Sequence, residues 1–207
     1  MLRFTTLVPV LALAISGSLF ATTITSTFDV DLDGWTAQHG VLVYNASGGN
    51  PGGYLEEDDD GQSNMQVDAP AKFIIGDLTG YSISVDLNVL GTLPTNPFGG
   101  FGKLTLYNGA ASMTADLGDP AIGWTHYSTA LTLTAFGNDA NFNTIITNVT
   151  KIQIALDPVN QQSGDATGMD NFTLSNTDAD SPVPEPATLG IAGLALIAVA
   201  VVRRTAR

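Results

Sequence analysis

The chain has 207 residues, no cysteine and a net charge of −13. Between Arg3 and Arg203 the only basic residues are Lys72, Lys103 and Lys151, while every Asp and Glu falls between Asp29 and Glu185. Disulfide staples are therefore excluded, and so is the basic surface that nucleic acid requires. An acidic surface favours solubility and divalent cations, and it repels anionic polymers.

Residues 1–21 open with Arg3, run apolar from Leu7 to Ile15, and end in the small residues Ser16, Gly17, Ser18 and Ala21. That order and length predict a secretory signal helix, and the absence of a polar face argues against a buried amphipathic helix. Cleavage after Ala21 and cleavage near Ser16–Ser18 both stay open. Roughly 160 residues separate this segment from the C-terminal one, enough for one domain with a real core.

That domain, residues 22–175, shows no sustained helical period. Short β-rich pieces separated by Gly, Asn, Asp and Pro predict strands at 23–28, 41–44, 71–75, 81–89, 103–107, 112–116, 126–132, 151–156 and 168–174. Residues 81–87 and 151–156 alternate apolar and polar side chains, as strands with one buried face do. One helical turn is expected within 141–148. Many short alternating strands make the expected fold all-β, a β-sandwich.

Several segments carry a resemblance. Gly34-Trp35, the glycine-rich run from Gly48 to Leu55, Ala69-Pro70-Ala71-Lys72-Phe73 and Gly76-Asp77 are similar to the laminin B (laminin IV type A) domain. Gly123-Trp124-Thr125-His126-Tyr127 and Met169-Asp170-Asn171-Phe172-Thr173-Leu174 extend the likeness over most of 28–174. It implies a jelly-roll sandwich, galactose-binding-like and related to carbohydrate-binding modules. Leu78-Thr79-Gly80 forms a more compressed connection than that family shows.

Asp29-Val30-Asp31-Leu32-Asp33-Gly34 reads like half an EF-hand loop, but its twelfth position is Gly40, where that loop needs a bidentate Glu. The jelly-roll likeness implies a different calcium site between first and last strands, at Asp29 and Asp170 with Asp31 as a further ligand. A solvated turn at 29–33 is the competing reading. The acidic run Glu56-Glu57-Asp58-Asp59-Asp60 reads as a solvated loop in preference to a cation site. Tyr54, among glycines, is the aromatic expected to meet sugar, whereas Trp35 and Trp124 read as core. No Ser–His frame, cysteine nucleophile or His spacing points to catalysis, so no enzyme is expected.

After a polar linker at 176–182, Pro184-Glu185-Pro186 precedes an uncharged apolar stretch at 187–202 and the basic end Arg203, Arg204, Arg207. As a transmembrane helix the stretch would span about 24 Å, short for a hydrocarbon core of about 30 Å. The arginines would stop it on the cytoplasmic side. This order of parts, over 183–207, resembles the PEP-CTERM sorting tail of Gram-negative bacteria. The resemblance implies transient residence in the inner membrane and an exosortase-like processing enzyme that cuts near Pro184-Glu185-Pro186. It also implies a final place at the cell surface or in the extracellular matrix beside exopolysaccharide. Two prolines fit such a substrate, since they keep the segment extended. The expected function is a sorted surface protein whose sandwich associates with polysaccharide. A purely structural matrix protein and a glycoside-active enzyme are the alternatives.

Overall fold

The computed structural model describes residues 22–59, 64–93, 100–158 and 165–176. The expected signal segment, the sorting tail with its 187–202 span, and the linker beyond residue 176 lie outside them. Among the described residues no helix is long and apolar enough to cross a membrane.

Among the described residues eleven strands form two antiparallel sheets. The first holds β3 (Val41–Gly49), β4 (Gly52–Asp58), β11 (Ala166–Asn176), β6 (Tyr81–Val89) and β9 (Thr125–Ala130), in that order, with β1 (Thr23–Ser26) also paired to β11. The second runs β2 (Thr36–His39), β5 (Gln66–Asp68), β10 (Lys151–Ala155), β7 (Lys103–Asn108) and β8 (Ala111–Asp116). On one edge of β11, β1 covers Phe172–Ser175 and β4 covers Ala166–Met169; β6 lies along the other edge. Most of the strands expected from alternation are present, and the helical turn is α1 (Phe142–Ile146).

Alternation is what builds the core. Ile83, Val85, Leu87 and Val89 on β6 point inward, as do Leu104 and Leu106 on β7 and Ile152 and Ile154 on β10. At 20–33 cal/mol per Å² of apolar surface, such burial is the main stabilising term of a chain without disulfides. One end of the core is aromatic. Trp35 meets the Phe172 ring edge-on at 4.9 Å and lies 5.9 Å from Phe73, and its Nε1 donates to the buried Ser26 hydroxyl at 3.0 Å.

Residues 71–75, expected as a strand, form a single 3-10 turn at Ala71–Phe73 instead. Pro70 fixes the entry at φ −67°, the Phe73 amide closes back on the Pro70 carbonyl, and the turn delivers the Phe73 ring into the core at 4.8 Å from Phe172. One large anchor needs a turn rather than a ladder. The acidic run is not a solvated loop either: Glu56, Glu57 and Asp58 belong to β4, and Glu57 has 0% exposure.

Candidate functional site

On β4 the side chains alternate strictly, so Gly53, Leu55 and Glu57 face the core while Tyr54, Glu56 and Asp58 lie on the outer face. That outer face carries an aromatic pair. Tyr54 and Trp124 pack edge-on with ring centroids 5.5 Å apart, both only half-buried. Gly168 on β11 makes room for them. A methyl group there would come within 2.9 Å of Trp124 Cη2 and 3.1 Å of Tyr54 Cδ2. The Trp124 indole donates to the Gly48 carbonyl at 2.8 Å, which fixes the ring against the β3–β4 hairpin.

Polar groups surround the pair. The Tyr54 hydroxyl and Asn45 Nδ2 both donate to Glu56 Oε2, at 3.1 and 2.6 Å. Burial, then the bond and charge of Glu56, push the Tyr54 hydroxyl above its ordinary pKa. Beside them His126 Nδ1 lies 2.6 Å from Asp86 Oδ1, with the imidazole largely exposed and Asp86 buried. Such a face offers rings with apolar surfaces and, at their rim, acceptors and donors held in place by neighbours.

The hairpin end folds over Asp170. Its Oδ2 accepts the Asn50 amide at 2.6 Å and its Oδ1 the Asn171 amide at 2.7 Å. Asn50 Nδ2 and Asn171 Nδ2 donate to Asp86 Oδ2, at 3.1 and 2.8 Å. Glycine is required at Gly49, where a Cβ would stand 2.8 Å from Asp170 Oδ2 and run into the Gly53 carbonyl. Burial raises the Asp170 pKa; the two amides oppose it, and the Asp86 and Asp29 charges add to it.

Of the expected calcium ligands, Asp29 and Asp170 thus come near each other, with Asp86 beside them. Hydrogen bonds latch this end of the sheet, since both Asp170 oxygens accept main-chain amides and Asp86 Oδ2 accepts two asparagine side-chain amides. Asp29 accepts from the Thr27 hydroxyl at 2.8 Å. Asp31 is exposed and accepts the Asp33 amide at 2.6 Å, closing its own turn. Tyr54 lies half-buried on the outer face of β4. Trp35 is core, but Trp124 is not; a leading glycine and an alternating strand could not reveal that it stands just before β9 on the outer face. Pro184, Glu185, Pro186, Arg203, Arg204 and Arg207 lie outside the described residues.

A second acidic group sits between the sheets, where β4, β10 and β11 end or begin. Asp59, Asp157 and Asp165 each place a carboxylate oxygen within 4.8 Å of the others. Glu57 lies on the same inward face of β4; its Oε1 accepts the Gln66 amide at 3.1 Å and its Oε2 is buried without a hydrogen-bond partner. Burial raises the Glu57 pKa from 4.5 to about 8, with Asp157 and Asp59 adding to the effect. Sequence reading missed this group because Asp157 and Asp165 are isolated acids far from the acidic run in the chain.

Residues 182–204 match the PEP-CTERM protein-sorting motif. The chain carries a PEP-CTERM sorting motif. That motif marks a protein sorted for export to the cell surface. No curated protein matches the chain.

Among solved structures, the chain is similar to the Clostridium thermocellum endo-1,4-β-D-xylanase 10B CBM22-1 and GH10 modules complexed with xylohexaose. The identity is 16%, covering 77% of this chain and 29% of that one, with a TM-score of 0.54. The chain therefore spans under a third of that xylanase chain. It is also similar to the C-terminal family 22 carbohydrate-binding module of the same enzyme, at 13% identity over 75% and 94% of the two chains and a TM-score of 0.51. A family 29 carbohydrate-binding module matches at 14% identity over 80% and 99%, with a TM-score of 0.50. These likenesses place the chain in the jelly-roll fold of carbohydrate-binding modules, as expected. The modules named are not laminin B domains, so that finer label rests on the sequence alone.

Proposed function

We propose that this is a sorted surface protein whose sandwich binds neutral polysaccharide on the outer face of its first sheet. The observation that carries this reading is the half-exposed Tyr54–Trp124 pair over Gly168, rimmed by Glu56, Asn45 and the Asp86–His126 pair. Pyranose rings present apolar C–H faces that stack on aromatic rings, and their hydroxyls take up fixed donors and acceptors at the rim. The net charge of −13 disfavours anionic polymers. The matched structures support this reading by fold alone.

The same proposal is non-catalytic. Glu57 has the raised pKa of a general acid, but at 0% exposure it cannot reach a glycosidic oxygen. The domain boundaries at 22–175 and 176–182, and the transit through the inner membrane of a Gram-negative cell to an exosortase-like enzyme, belong to this proposal too. The sorting motif at 182–204 supports that part.

The test is a titration of the purified chain with neutral oligosaccharides such as xylohexaose and mannohexaose, read by tryptophan fluorescence and calorimetry. Trp124→Ala and Tyr54→Ala should each weaken binding about 10- to 100-fold, as expected for about 1.4–2.8 kcal/mol. Binding unchanged in both variants, or absent from the wild-type chain, would sink the sugar reading. For the tail, replacing Pro184, Glu185 and Pro186 by alanine should leave the chain in the membrane fraction of an exosortase-bearing cell. Release as efficient as in the wild type would remove the motif from the account.

A further inference from the structure

We propose that the carboxylates of Asp59, Asp157 and Asp165, with Glu57 facing them, form a calcium site that clips together one end of the sandwich, separate from the Asp86–Asp170 latch. The site is gathered from three strand ends. Glu57 and Asp59 follow each other on the inward face of β4 and just beyond it, Asp157 stands two residues past β10, and Asp165 immediately precedes β11.

Main-chain bonds hold those ends in register. The Asp59 amide donates to the Asp165 carbonyl at 3.1 Å, the Leu156 amide to the Met65 carbonyl at 3.0 Å, and the Thr167 hydroxyl to the Leu156 carbonyl at 2.8 Å. The scaffold thus fixes the side chains rather than leaving them on free loops. Asp157 and Glu57 have 0% exposure and Asp59 has 7%.

Asp59, Asp157 and Asp165 bring three carboxylates together at one end of the core, and a shared cation would offset the repulsion among them. Two independent observations converge here. One is the span of 4.8 Å, the largest separation that two oxygens can have when both bind one ion at about 2.4 Å. The other is Glu57 Oε2, fully buried, without a hydrogen-bond partner, and on the face shared with Asp59. An all-carboxylate donor set selects a hard divalent ion, and calcium's flexible coordination suits side chains from three strand ends better than the strict octahedron of magnesium. In a chain with no cysteine, such an ion does the work of a cross-link between β4, β10 and β11.

The experiment is calorimetric titration of the chelator-stripped, purified chain with CaCl2 and separately with MgCl2, paired with thermal unfolding in each. Calcium should bind, raise the midpoint by mass action, and outcompete magnesium at least 10-fold. Asp157→Asn and Asp165→Asn should each weaken calcium binding at least 10-fold while Asp170→Asn retains it. In chelator Asp157→Asn should unfold close to the wild type, because the amide is isosteric with the carboxylate; this keeps lost binding distinct from lost folding. The proposal is overturned by a folded wild-type chain that takes up no calcium, or by equal preference for magnesium. It is equally overturned if Asp170→Asn abolishes binding and Asp157→Asn and Asp165→Asn leave it intact.

Discussion

In chelating buffer the domain is expected to lose stability steadily as the pH rises from about 4.5 to about 8, and Glu57→Gln is expected to remove most of that loss. The folded Glu57 pKa is raised from 4.5 to about 8, chiefly because burial penalises its charged form. Below 4.5 the carboxyl is protonated in folded and unfolded chains alike, so no cost arises. Between 4.5 and 8 the unfolded chain releases the proton and the folded chain keeps it, so each pH unit favours unfolding by about 1.4 kcal/mol. The accumulated loss is on the order of 3–5 kcal/mol, a large share of an ordinary domain's stability. The groups facing Glu57 are the carboxylates of Asp59, Asp157 and Asp165 and the Gln66 amide, with the exposed His39 opposite Gln66 on β2. Urea unfolding of both chains across this pH range is the measurement. Parallel slopes for wild type and Glu57→Gln would show that Glu57 ionises freely in the folded state. Saturating calcium should flatten the wild-type slope, because the ion stabilises the charged form.

The second large effect is at Trp35. Trp35→Ala is expected to cost about 3–5 kcal/mol, the range for a fully packed aromatic removed from a core. Three rings lose their neighbour: Phe172 at 4.9 Å, Phe73 at 5.9 Å and Phe28 at 6.3 Å. The Ser26 hydroxyl, at 0% exposure, also loses the indole donor. Trp35→Phe should recover part of the loss by refilling volume without restoring the hydrogen bond. Denaturant midpoints decide it, and a loss below about 1 kcal/mol for Trp35→Ala would mean that the aromatic end of the core collapses over the gap.

How far the sequence discloses these features depends on the distance over which each signal acts. Strands such as β6 and β10 are legible because period-2 alternation is local and each side chain reports its own face. On β4 the same alternation is present but disguised, since the inward position after Leu55 is a glutamate and the run reads as charge. The turn at Ala71–Phe73 carries the composition of a strand, and only the docking of Phe73 against Phe172 decides otherwise. Tyr54 is singled out by its glycine neighbours, whereas its partner Trp124 depends on a glycine 44 residues later in the chain, Gly168, leaving space on β11. Asp59, Asp157 and Asp165 share a site only because three strand ends meet, and no short motif encodes that meeting.

The pairing of β1 with β11 puts Thr22 beside Asn176, whose amide donates to the Thr22 carbonyl at 2.9 Å. The described domain therefore begins and ends at one point on its surface. Any pull transmitted from residue 177 onward enters β11 along its length, and β11 is held by β1 and β4 on one edge and β6 on the other. Such a load must slide three ladders at once instead of peeling them bond by bond. Pulled from the end of β11, the domain is gripped by its most widely paired strand, so the force falls where the sheet resists shear best.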